Sequence, residues 1–242
     1  MRMTLRNAIK FFLILLIFAS LALASDPPWK GKPYQQWDDK DIQRVLTDSP
    51  WARKSTMTRT WTAPTQKEVP NTPEVSGPGR GMPSSGSAND NAGSDLTFDI
   101  YWASSRVMRA ASARKAVLHG GKTDVDADKY ASQPQEEYQI VIQSEDMSPF
   151  LRHDEKFFQG NSFLEPKKSK QKLAPSHVVY EREGNSQLVT AAVFFFPKKT
   201  ASGEPTIGSD EKSVEFNCKI EGSNLRVNFE PQKMVDNQGP AL

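Results

Sequence analysis

The strongest constraint on this chain is a period of two. In LTFDIYW (96–102), Leu96, Phe98, Ile100 and Trp102 fall on one side, and in YQIVIQ (138–143), Tyr138, Ile140 and Ile142 do. VEFNCKIE (214–221) puts Val214, Phe216, Cys218 and Ile220 together, and LRVNFE (225–230) puts Leu225, Val227 and Phe229 together. Successive strand residues point to opposite faces, so this alternation specifies strands with one face on a core and the other toward water. Such half-buried strands belong to antiparallel sheets. Gly222-Ser223 joins the last two runs as a tight hairpin, and HVVYEREGNSQLV reads as another around Gly184-Asn185. LVTAAVFFFP (188–197) is apolar on both faces, a strand covered on both sides and ended by Pro197.

Two stretches read as helical. SSRVMRAASARKAVLH (104–119) opens on serine caps and stops at Gly120-Gly121. EPQKMV (230–235) is a short helical start with Pro231 at its beginning. The first helix lies between the strands at 96–102 and 138–143, a strand–helix–strand order that usually forms a right-handed parallel crossover. The expected fold is α+β: a mixed, mostly antiparallel sheet with one crossover helix and an N-terminal helix–strand arm docked on it.

Punctuation divides the chain. Residues 62–95 carry five prolines, five glycines and no aromatic residue, the composition of a disordered linker. Ahead lies a segment at 25–61, and behind lies a main domain at 96–242. Residues 1–24 read as a secretory signal peptide. Arg2, Arg6 and Lys10 precede an apolar run of 14 residues (Phe11–Ala24), and Ala22-Leu23-Ala24 is a small-x-small cleavage site before Ser25. The run is shorter than the roughly 20 residues a spanning helix needs, so no membrane span is expected once it is cleaved. This address points to a secreted or periplasmic protein.

The segment at 25–61 holds four of the chain's five tryptophans: Trp29, Trp37, Trp51 and Trp61. Asp38 with Asp41 forms a capping arrangement for a short helix whose apolar face is Ile42, Val45 and Leu46, and Ser49-Pro50 ends it. STMTRTW then reads as a strand. So short a piece cannot recover its ordering entropy alone, so its apolar face must be buried on something larger. One surface is the chain's own main domain. The other is a partner, with Trp37 and Trp51 as anchors of the kind enriched at interface hot spots.

The stretch GKPYQQWDDKDIQRVLTDSPWA (31–52) resembles the opening of a family of secreted, uncharacterised bacterial proteins, whose signature runs K-P-aromatic-x-x-W, D-I/V, S-P-W-A. VFFFPK, DEKSVEF and KMV, later in the chain, resemble the same family. The resemblance implies export and carries no activity with it. It also implies a short final strand, but Asn237-Gln238-Gly239 stands where that strand is expected, so the reading is that the strand is missing here.

Charge and chemistry narrow the function. Removing Arg2, Arg6 and Lys10 leaves 28 basic against 29 acidic residues, so a net charge of +2 becomes −1. A near-neutral chain gives no electrostatic reason to bind nucleic acid. Cys218 is the single cysteine and lies on an inward strand face, where a thiol is inert packing. His119, His153 and His177 stand apart, without zinc-ligand spacing, and no cofactor is implied. Asp124, Asp126 and Asp128 match the start of a calcium loop, but Lys129 and Gln135 occupy the positions that need glycine and glutamate; an acidic loop capping a helical turn is the simpler reading. Ser112-Ala-Arg-Lys115 matches an S-x-x-K motif that recurs by chance at Ser169 and Ser209, without its S-D-N partner. EPKKSKQKLAP (165–175) gathers Lys167, Lys168, Lys170 and Lys172, a charged loop or a contact for an anionic wall polymer. The expectation is an exported, non-catalytic interaction or structural module, its partner a protein or a cell-envelope polymer, with Trp37, Trp51 and these four lysines as candidate contacts. The alternative is an exported hydrolase using an Asp/Glu pair.

Overall fold

The computed structural model describes residues 26–58, 95–184, 188–220 and 223–242. The stretch read as a signal peptide (1–24), Trp61, the stretch read as a linker up to residue 94 and the tips of two hairpins lie outside the described residues. Asp95 already belongs to a strand.

The alternating runs become strands with the expected faces inward. A five-stranded sheet has the order β1-β2-β3-β6-β5: β1 (Ala52–Thr58), β2 (Asp95–Trp102), β3 (Glu137–Gln143), β5 (His177–Arg182) and β6 (Val189–Pro197). A three-stranded sheet has the order β4-β7-β8: β4 (Ser162–Pro166), β7 (Val214–Ile220) and β8 (Ser223–Phe229). Against the reading that the final strand is missing, a miniature hairpin, β9 (Val235–Asp236) with β10 (Gly239–Pro240), supplies it. Trp102, Tyr138, Phe194 and Phe196 on the large sheet face Phe216 and Phe229 on the small one, with edge-on ring pairs at 5.1–6.2 Å for Trp102–Phe229, Phe194–Phe216 and Phe196–Phe216. Phe150 and Phe158, from a helical turn (Ser148–Leu151) and a short helix further on, fill one end of this core.

The crossover expectation also fails. Every described strand pair is antiparallel, β2 with β3 included. Two helices connect β2 to β3 where the sequence suggested one crossover helix. The first of them (Arg106–His119) is capped by Ser105, whose hydroxyl accepts from Met108 N at 3.1 Å. Gly121 then takes φ +65°, open to glycine without strain, and the second (Asp124–Ser132) returns alongside, tied by Arg109 to the Tyr130 and Gln133 carbonyls. The chain therefore re-enters the sheet beside the end it left, where Ala103 N donates to Gln139 O at 2.8 Å. A hairpin of helices returns an antiparallel strand; only a single crossing delivers a parallel one. The helices are α1 (Asp39–Thr47), α2 (Arg106–His119), α3 (Asp124–Ser132) and α4 (Glu155–Gly160). EPQKMV contributes one 3-10 turn, Pro231–Lys233.

The N-terminal arm docks on the rest of the chain. The capping box forms as read, Asp41 N donating to Asp38 Oδ1 at 2.9 Å and Asp38 N to Asp41 Oδ2 at 3.3 Å. Ile42 and Val45 are buried and Leu46 partly so. β1 pairs with β2 over seven positions, from Ala52↔Tyr101 to Thr58↔Asp95. Trp29, Trp37 and Trp51 join the same hydrophobic core as the sheet residues. No described helix is long and apolar enough to cross a membrane.

Candidate functional site

The residues nominated from sequence do not assemble into one surface. Trp37 and Trp51 are 3% and 0% exposed, so neither is free to anchor a partner. Trp51 meets Trp29 edge-on at 5.6 Å and donates its Nε1–H to Ala241 O; Arg114 Nε donates to Trp37 O at 3.0 Å. The short arm buried its rings on its own chain because that core lay within reach of its own β-pairing.

The lysine cluster is largely spent internally. Lys167 pairs with Glu215 at 2.7 Å and Lys168 with Asp210, and each lysine is held protonated above its usual range by that bond. Lys172 lies 4.2 Å over the Phe163 ring. Lys170 occupies a left-handed turn position, its N–H donating to Pro166 O at 2.8 Å. The loop binds itself to β7 and to residues 210–211 before any polymer.

The other motifs resolve into local structure. Asp124, Asp126 and Asp128 lie on α3, with Thr123 capping it through Asp126 N. Asp128 accepts from Tyr34 Oη and from Gln35 Nε2, tying the arm to the helical hairpin. Asp154 caps α4, and His153 stacks on Phe157 at 3.8 Å. Ser112 sits mid-helix on α2, where the backbone N–H groups that could stabilise an oxyanion are already used. Among the described residues no group of three or more metal-ligating side chains converges.

Two concavities adjoin the helices that cover the chain's core. The first, about 600 Å³, lies between the arm, α2–α3 and the β9–β10 hairpin. Its polar groups face one another: Tyr34 and Gln35 hold Asp128, and Arg106 grips Asp236 through two bonds at 2.9 and 3.1 Å and Pro240 O at 3.0 Å. It is the seam that joins three parts of the chain.

The second, about 520 Å³, is a groove over the outer face of the large sheet. Alternation sends Tyr101, Val141, Val179, Val193 and Phe195 to this side. α1 supplies Leu46 to the wall, α2 supplies Ser112 and Lys115, and α3 supplies Tyr130. Val179 is 44% exposed and Tyr130 48%. Tyr101 has its phenol pushed up to about 12 by burial and by Asp99. Asp99 is held by Lys54 at 3.1 Å, whereas Lys115 on the helical wall and Glu181 on the sheet wall form no ion pair among the described residues. The groove thus has an apolar floor with a cation on one wall and an anion on the other. Apart from Ser112 and Lys115, weighed above as a chance S-x-x-K match, none of these residues stood out in the sequence as a site. The available signal was local: VV in HVVYER and the doubly apolar VFFF each place one large side chain on the face away from the core.

Comparison with protein-family models, curated proteins and solved structures gives no match.

Proposed function

We propose that this chain is an exported, non-catalytic interaction module whose ligand is an extended, amphipathic peptide segment of a partner protein, seated in the groove over the outer face of the large sheet. The observation that carries the reading is the groove itself. Val179 and Tyr130 expose apolar surface beside Val141 and Phe195, and Lys115 and Glu181, on opposite walls, form no ion pair among the described residues. Exposed apolar surface rimmed by polar groups marks interaction sites. Export follows from the signal read at 1–24 and from the resemblance to a secreted family; N-terminal sequencing of the mature protein should begin at Ser25.

The binding reading is tested by peptide display on the chain lacking residues 1–24. Selected peptides should lose on the order of tenfold in affinity on Lys115→Glu and on Phe195→Ala, variants checked for folding by circular dichroism. Peptides that bind both variants as well as the parent sink the proposal, and so does a preference for soluble wall-polymer fragments alone. The hydrolase reading has one observation of its own, that Asp99 and Glu181 line the same groove. It requires Glu181→Gln to abolish release of products from a polymer substrate, followed by mass spectrometry; the binding reading requires that no turnover be present to lose.

A further inference from the structure

The large sheet has two edge strands, and the molecule treats them differently. β1 runs beside β8 of the small sheet, with Arg53 Nε donating to Asn228 O at 2.7 Å. In the small sheet, β4 is bridged on its free side by Leu173, which exchanges bonds of 2.8 and 2.9 Å with Leu164. β5 pairs with β6 on one side and with no described strand on the other. Natural proteins blunt such an edge with proline, lysine, a bulge or a covering element. HVVYER contains neither proline nor lysine, its bulge falls only at the Glu181/Arg182 end, and α4 packs on its inner row through Phe158 against Tyr180. Exposed large apolar side chains gather around it: Val179 on the strand, Leu188 just before β6, and Leu151, which shares a surface hollow with Tyr180 and Arg182.

We propose that β5 pairs antiparallel with β5 of a second copy of this chain, on a twofold axis through Val179. The argument is self-complementarity. Regular pairing in β5 runs from His177 to Glu181, where a bulge interrupts it, so Val179 is its midpoint. Pairing about that midpoint sets Val179 opposite Val179, and His177 opposite Glu181 twice. Directly opposed side chains lie about 4.5–5.5 Å apart at Cβ, within reach of a hydrogen bond from the imidazole Nε2 to the carboxylate; Nδ1 is engaged by Ser176 Oγ and the ring stacks on Phe195. The inner row sets Val178 against Tyr180, a β-branched residue against an aromatic one. Opposed residues must share a face, so the neighbouring registers are centred on Val178 or Tyr180. Those place Val179 against His177 or against Glu181 and lose both matches. The axis is normal to the sheet, so the outer faces of both copies lie on the same side and form one continuous surface. The dimer shares Val179 and Glu181 with the sheet wall of the groove, but its readout is the state of association alone, which peptide binding does not report.

Sedimentation equilibrium of the chain lacking residues 1–24 should show a reversible monomer–dimer equilibrium. Val179→Lys and Val179→Asp each set like charges face to face on the axis and should weaken association by about tenfold or more. Mixing the two variants should restore it as a heterodimer. Val179→Cys should oxidise to a disulfide-linked dimer, because each copy brings the new thiol to the axis. Position 179 is exposed in the monomer, so both charged variants should fold, which circular dichroism verifies. A parent chain that stays monomeric at every concentration overturns the proposal. So does a dimer indifferent to Val179→Lys, or a mixture of the two charged variants that fails to associate.

Discussion

At the scale of single residues, Cys218 and Trp51 show what burial does to chemistry. Cys218 is fully buried, and burial pushes its thiol up to about 12. The nucleophile is the thiolate, so a thiol reagent should leave the native protein unlabelled and react fully in denaturant; rapid native labelling would contradict the packing of β7. Trp51 carries a larger load. Replacing it with Phe removes buried volume and leaves the Ala241 carbonyl without its donor, and should cost about 2–3 kcal/mol, read as a lower urea midpoint with an unchanged slope. Sequence reading made Cys218 core, from its place in an alternating strand, and required burial of Trp51, from the poverty of its own segment, while naming it a candidate partner contact. It could not decide what Trp51 would be buried on, because a tryptophan in a short capped helix–strand piece looks the same whether its cover is its own chain or a partner. The candidate groove was less legible still. Val179 and Phe195 are ordinary strand residues, and their role depends on how far α1, α2 and α3 extend over the sheet, which is set by tertiary packing.

At the scale of elements, β1 and β2 form a seven-position antiparallel pair whose connecting segment spans 59–94. A protease site engineered into that segment, once cut, should leave the arm bound. The two fragments should co-elute under native conditions and separate in denaturant, because seven ladder positions, Trp51 and the Arg53–Asn228 bond are independent of the connection. Release of the arm on cutting would show that the connection, and not the packing, holds it. Strand faces, the α2 cap at Ser105 and both hairpins were legible, since each rests on local pattern. The direction of β3 was not. It hinged on reading DVDADK as a helix, and three aspartates in six residues give that helix little propensity of its own; capping by Thr123 and contacts with Tyr34 and Arg109 stabilise it from outside.

At the scale of the whole molecule, the buried phenols set the alkaline limit. Tyr138 and Tyr101 have their phenols raised from 10.0 to about 12, in both cases first by burial, and Cys218 is raised from 9.0 to about 12. These groups are acids kept neutral by the fold. The stability this contributes is complete below the unfolded values and is lost as pH climbs toward the folded ones. The melting temperature should therefore fall between about pH 9 and 12, and Tyr138→Phe should make that fall shallower; an unchanged profile would mean that Tyr138 ionises without cost. The register of β1 against β2 has a last consequence. Thr58 faces Asp95, so the 36 residues between them leave and rejoin the body at a single point. To the rest of the architecture that stretch is a graft on one stem: a descendant could lengthen it, trim it to a turn or exchange it for a foreign module while every other strand kept its neighbour.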